Sequence, residues 1–227
     1  MKRFLRVTLV LVATLSGLAL LSVELAYRFT VASLAPFPAL TPPAPLPPKV
    51  AAAIWAAEGG VGTRFIPRLY PWTVHRYFDQ DRIGLIFAWV VAREFLQAAR
   101  ERGQLHGNLE WHLKGIAATA WVTRNMSADE IFATYAALAW AGGPGRGLNA
   151  GAQRLFGKDI AALDERELAL LLGILQNPYA NDPVRRPERA LARRNLILER
   201  FVQAGCLPAS ELAAAQAAPL GLRTPVS

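Results

Sequence analysis

The sequence predicts an all-α domain carried on one membrane-spanning helix. Three observations lead there. An apolar run from Val7 to Val23, free of charged residues, follows a basic tip, Met1–Arg6, and with Phe4 and Leu5 it approaches the roughly 20 residues that cross a bilayer as a helix. From Val50 onward apolar residues recur at helical spacing, with no alternating, strand-like run. Capping patterns of Ser or Asp with Glu three residues on stand directly ahead of two of those apolar stretches.

The chain has 227 residues, enough for one ordinary domain and an anchor and too few for two large domains. Cys206 is the only cysteine, so an intramolecular disulfide is excluded, and it reads as a small apolar helix residue. The net charge is +8, with 25 basic and 17 acidic residues. Excess positive charge suits an anionic partner: a phospholipid surface, a pyrophosphate lipid or nucleic acid. No nucleic-acid motif is present, and the anchor argues against that partner.

Taken in order, residues 1–30 form the basic tip and the anchor. A cleaved signal peptide has a shorter apolar core and a small-x-small site. Here the core is long and Ser22-Val-Glu24-Leu-Ala26 is a poor site, which favours an uncleaved signal anchor. Lys2, Arg3 and Arg6 then hold the N-terminus in the cytoplasm, and everything after Tyr27 lies outside the cytoplasmic membrane, in the periplasm or extracellular space. Residues 31–49 contain Pro36–Pro48, an extended polyproline-like spacer between anchor and domain. Residues 50–222 form the domain.

Within the domain, Ser127 caps a helix in a box with Glu130, and Ile131, Tyr135, Leu138 and Ala139 supply its apolar stripe, read as core. Asp164 and Glu167 repeat the box ahead of a helix that is apolar on nearly every side and ends before Pro178. A further helix starts near Pro187 and runs to about Ala204, with Gly205 as its cap. The glycine-rich Gly142–Gly147 lacks the preceding strand and the Gly-Lys-Ser/Thr ending of a phosphate-binding loop.

Ser127-Ala-Asp129-Glu130-Ile131-Phe-Ala-Thr-Tyr135, then Gly147, Ala150, Ala152 and Phe156-Gly157-Lys158, then the Leu163–Leu172 helix, Asn177-Pro178 and Arg193-Arg194-Asn-Leu-Ile-Leu198 occur in one order and spacing. That series resembles the C-terminal half of the peptidoglycan glycosyltransferase domain (glycosyltransferase family 51, the transglycosylase module of penicillin-binding proteins and of monofunctional transglycosylases). The resemblance implies a lysozyme-like all-α fold and a lipid II substrate with a nascent glycan strand. It also implies cell-wall synthesis proteins as partners, and a divalent cation such as Mg or Mn held mainly by the lipid pyrophosphate. His75, His106 and His112 show no metal-ligand spacing of their own.

Upstream the family pattern departs. The glycan-binding motif would fall on Ala88–Phe95, which reads AWVVAREF. The Arg-Lys-x-x-Glu motif falls on Trp111–Gly115, placing Gly115 where the family has its second glutamate. The first motif keeps only its glutamate, as Glu58 ahead of Gly59-Gly60.

Joining lipid-linked sugars needs a base for the acceptor hydroxyl and cationic help for the leaving pyrophosphate. The resemblance puts Glu58 at the base position; as a bare sequence feature it is also a helix-end carboxylate before a turn. Lys114 and His112 are candidates to replace the family's cationic pair, and Arg193 and Arg194 match its fifth motif. Arg186, Arg189 and Arg200 share a helical face with Arg193 and read equally as a solvated strip. Glu110 and Glu94 are the neighbouring carboxylates, neither at the lost position. Three functions remain open: an active transglycosylase with altered residues, a non-catalytic lipid II- or glycan-binding scaffold with that fold, and a single-glutamate glycan-cleaving enzyme.

Overall fold

The computed structural model describes residues 2–37, 43–77 and 83–223, apart from the Val74 side chain. Nine α-helices run along the described residues: α1 (Lys2–Leu34), α2 (Pro48–Ala57), α3 (Ile83–Glu101), α4 (Asn108–Asn125), α5 (Ala128–Leu138), α6 (Leu148–Phe156), α7 (Glu165–Leu175), α8 (Pro187–Gln203) and α9 (Leu212–Ala217). Short 3₁₀ turns cover Val74–Tyr77, Ile160–Ala162 and Ala209–Glu211. Among the described residues there is no strand, so the fold is all-α, as the periodicity predicts.

The chain divides into two compact units. The first comprises residues 1–39 and 66–126, the second residues 40–65 and 127–227. α1 does not stop at residue 30; it runs to Leu34, and the whole helix belongs to the first unit. The proline stretch leads from α1 to α2, across the boundary between the units. Residues 38–42 of that stretch lie outside the described residues.

In the first unit, α3 packs along α4 and α1 lies against both. α3 contributes large buried side chains (Phe87, Val91, Phe95, Leu96) and α4 small ones (Ala117, Ala118, Ala120), so the two axes approach closely. Phe95 meets Trp121 edge to face at 5.3 Å. Each such fully buried side chain stabilises the unit by roughly 1.5–3 kcal/mol relative to exposure. An apolar pocket of about 250 Å³ opens between Tyr77, Leu85, Ile86 and Trp89.

In the second unit, α2 is the central helix. Seven of its ten residues are buried, and it packs on α7 and α8. Its apolar surface on all sides is what a surrounded helix requires. The two predicted capping boxes are present: Ser127 Oγ accepts from Glu130 N at 3.2 Å while Glu130 Oε2 accepts from Ser127 N at 2.7 Å. Asp164 and Glu167 make the same reciprocal pair at 2.9 and 3.0 Å. α8 begins at Pro187 and ends ahead of Gly205, whose φ of +73° is the left-handed cap conformation. That termination corrects the reading of Cys206: it is not a helix residue but lies half-buried in the turn after α8.

Candidate active site

Five side chains of the second unit converge at the C-terminal end of α2. Glu58 is the C-cap residue of that helix, with φ −88° and ψ 3°. Two backbone bonds close the turn behind it, Gly59 N to Ala56 O at 2.9 Å and Gly60 N to Trp55 O at 3.0 Å. Gly59 has φ +91°, a conformation costly for any residue with a Cβ. At Gly60 a Cβ would stand 2.3 Å from the Trp55 ring. Both glycines after Glu58 are thus dictated by local geometry.

Burial pushes the Glu58 carboxyl above its ordinary value of 4.5, against the opposing pull of Arg200, Arg193 and a hydrogen bond with Gln176. The position at a helix C-terminus, where carbonyl dipoles gather negative charge, acts in the same direction as burial. Gln176 caps the end of α7. Tyr135, buried on α5, has its phenol raised by burial and then by the Glu58 charge. Arg193 and Arg200 are seven residues apart on α8, two turns along one face. Arg200 Nη1 donates to the Ala57 carbonyl.

Arg193 is the unusual member. Its Nε and Nη2 are buried and have no hydrogen-bond partner. Burial and the Arg200 charge lower its pKa, with Glu58 opposing. Gly173 on α7 lets it sit there, since a Cβ at Gly173 would lie 3.1 Å from Arg193 Cγ. Native interiors rarely leave guanidinium donors unpaired, and a buried unmet donor costs about 1–3 kcal/mol. A protonatable carboxyl beside two guanidinium groups, one with open donors, is a site for an oxyanion and a hydroxyl.

The sequence-derived candidates separate. Glu58 and Arg193 come together. Arg194 turns away: it is 1% exposed, and every one of its N–H groups is used. Nη1 donates to the carbonyls of Ala218 and Pro219, Nη2 to Gln216 O and Asn195 Oδ1, and Nε to Asn195 Oδ1. Arg194 therefore ties down the segment after α9 and offers no donor to a ligand. Lys114 and His112 belong to the first unit, on α4. Lys114 Nζ is held by Glu110 Oε1 at 2.7 Å and by Gln104 O at 2.8 Å, and His112 is exposed. Glu110 is in turn bonded to His106 N, and its pKa is lowered by Lys114 and that amide.

Of the strip on α8, Arg186 and Arg189 are exposed while Arg193 and Arg200 face Glu58. Sequence reasoning missed Gln176 and assigned Tyr135 only to core. A polar residue ending an otherwise apolar helix, three positions after a glycine, is the one signal that pointed to Gln176. Among the described residues no group of three His, Cys, Asp or Glu side chains is placed to hold a metal ion. The charges around Glu58 are cationic, a donor set that does not fit a divalent ion held by protein side chains.

The sequence profile of the family described as Transglycosylase matches residues 93–202. Similar curated proteins include penicillin-binding protein 1A of Pseudomonas aeruginosa, 32% identical over 99 residues, 44% of this chain and 12% of that protein. Penicillin-binding protein 1A of Vibrio cholerae is 32% identical over 108 residues, 48% of this chain and 13% of that one. Its namesake in Aquifex aeolicus is 31% identical over 115 residues, 51% and 16%. The chain thus spans a small fraction of the length of these relatives. The matched segment holds Gly115, Gln176, Arg193 and Arg200, and Glu58 lies before it. The all-helical fold is the lysozyme-like one, and residues 93–202 of this chain carry a domain of the transglycosylase family.

Proposed function

We propose that this chain is a membrane-anchored, glycosyltransferase-like protein of peptidoglycan assembly that binds the lipid-linked disaccharide lipid II outside the cytoplasmic membrane and does not polymerise it unaided. The observation that carries the reading is Arg193, with two buried donors unmet beside Arg200 and Glu58. A pyrophosphate oxygen would satisfy those donors through charge-assisted bonds, which are shorter and stronger than neutral ones. Glu58, its carboxyl raised by burial, is suited to hydrogen-bond a sugar hydroxyl or to take its proton.

Polymerisation asks for a second acidic group, and the position where the family has it is Gly115. The helix α1, with an apolar stretch and no buried residue in that stretch, supports a single-pass anchor. The basic residues ahead of it support an N-terminus in the cytoplasm. A divalent ion enters this reading only as a companion of the lipid pyrophosphate, and no step here runs through it.

A second reading, turnover with Glu58 as general base, is favoured by the raised Glu58 carboxyl alone. Labelled lipid II separates the two. The detergent-purified chain is assayed for binding and for polymer beside Glu58→Gln and Arg193→Ala. Binding without polymer, weakened roughly 10- to 100-fold by Arg193→Ala, is the expected result. Polymer made by the wild type and lost in Glu58→Gln establishes the second reading instead. Wild type that binds no lipid II overturns both, and soluble sugars released from purified sacculi would point to glycan cleavage.

A further inference from the structure

We propose that Arg194 is a positioning residue for the Arg193–Glu58 site: by locking residues 212–223 across the back of α8, it fixes the rotation of the helix that keeps Arg193 turned toward Glu58. The proposal rests on the reading of that site as the seat of the lipid pyrophosphate, and all of its residues belong to the second unit.

Arg193 is costly where it sits, with Nε and Nη2 buried and without an acceptor. A helix free to turn about its axis would carry those donors to water, so a contact elsewhere on α8 has to oppose the turn. α7 supplies half of the restraint. A Cβ at Gly173 would stand 3.1 Å from Arg193 Cγ and 3.6 Å from its backbone carbonyl carbon, so the two helices meet closely there. Asn181 Nδ2 donates to Gly173 O at 3.0 Å and holds that point of α7 in place. The close approach sets the spacing of the helices and leaves the rotation of α8 to be fixed from its other faces.

At about 100° per residue, Arg200 lies within about 20° of the line of Arg193 along α8. Arg194 stands about 100° to one side of that line and Glu199 about 120° to the other. These two flanking residues grip one segment. Arg194 Nη1 donates to Ala218 O at 2.8 Å and to Pro219 O at 3.1 Å, and its Nη2 to Gln216 O at 2.8 Å. Gln216 Nε2 in turn donates to Glu199 Oε1 at 3.1 Å. Gln216 is thus held through its carbonyl from one flank and through its side chain from the other, opposite the face that carries Arg193 and Arg200.

The segment is also fastened away from α8. Arg223 N donates to Leu155 O at 2.8 Å, and a Cβ on Gly157, the C-cap of α6, would stand 3.2 Å from Arg223 Cδ. Residues 212–223 therefore form a strap between α8 and α6. Turning α8 either way to release Arg193 breaks the bonds on one flank of the strap. Bonds from a buried guanidinium are charge-assisted, and those of Arg194 outweigh the unmet donors of Arg193. Arg193 is in this way held ready for an oxyanion, which spares the ligand the cost of ordering it. By the same linkage, a ligand on Arg193 tightens the strap.

The test uses the full chain in detergent with labelled lipid II as the probe. Arg194→Lys keeps the charge and loses the forked set of donors; Gln216→Glu sets a like charge against Glu199. Circular dichroism and a cooperative melt establish that each variant is folded. Arg194→Lys is expected to weaken binding about 10-fold, within the usual range for coupled sites, and Gln216→Glu severalfold in the same direction. In an Arg193→Ala background the same two changes should cost little more, because the residue they position is gone. Hydrogen exchange of the wild type reads the reverse direction: lipid II should slow the amides of residues 216–223, and not in Arg193→Ala. That readout and Gln216→Glu decide the matter if Arg194→Lys does not fold. Equal losses with and without Arg193, or strap exchange unchanged by bound lipid II, overturn the proposal and leave the binding site standing. Wild type that binds no lipid II overturns the site, and the proposal with it.

Discussion

The Trp89 ring lies where a side chain on Gly115 would go: a Cβ at Gly115 would stand 2.4 Å from Trp89 Cζ3 and 2.7 Å from Cη2. Gly115 is buried on α4 and Trp89 half-buried on α3, the helix packed along it. On the reading that aligns Gly115 with the family's second glutamate, that position is occupied by the indole. Restoring the residue alone forces the indole out. Gly115→Ala is expected to destabilise by about 1–3 kcal/mol through overpacking. In a Trp89→Ala background the same change is neutral or stabilising, since alanine exceeds glycine in helix propensity by about 1 kcal/mol. Chemical denaturation of the four variants measures the coupling; additive effects would show that the two side chains do not compete for one space.

Glu58 supplies a pH signature. Its folded-state carboxyl is raised above 4.5, so above that pH the native state holds a proton that the unfolded chain has released. Stability from this group is thus fully present below 4.5 and lost as pH rises through the folded value. Glu58→Gln removes the penalty of burying the charge. The Tm of the mutant minus that of the wild type should be small near pH 4 and grow as the medium becomes neutral. A difference that stays flat across that range would mean the carboxyl is solvated.

The adjacent arginines should behave oppositely. Arg194→Ala strips partners from three backbone carbonyls and is expected to cost about 3 kcal/mol of stability. Arg193→Ala removes two unmet donors and leaves stability nearly unchanged or improved, while weakening binding of a pyrophosphate ligand. Thermal melts beside a lipid pyrophosphate binding assay check both. Equal losses of stability in the two variants would place Arg193 in the scaffold as well.

The two capping boxes should each contribute measurably and independently. Ser127→Ala and Asp164→Ala are each expected to lower stability by about 1 kcal/mol, with additive effects in the double variant because the pairs share no partner. Loss of cooperativity in place of a simple shift would indicate that one unit unfolds before the other.

The sequence by itself determined the all-α class, the starts of α5, α7 and α8, and the family. Capping boxes, Pro187 and Gly205 act within one turn of chain, and apolar spacing fixes which face of each helix is buried. These are local or periodic properties, readable without knowing what lies opposite. The tertiary structure alone decided the rest. It set Arg193 facing Glu58 and turned its neighbour Arg194 beneath the segment after α9. It brought Gln176 and Tyr135 to the carboxylate, filled the Gly115 position with Trp89, and packed α1 against α3 and α4. Adjacent helical residues point about 100° apart, so which of two arginines meets a ligand depends on contacts from residues far off in the chain, and no local pattern encodes them.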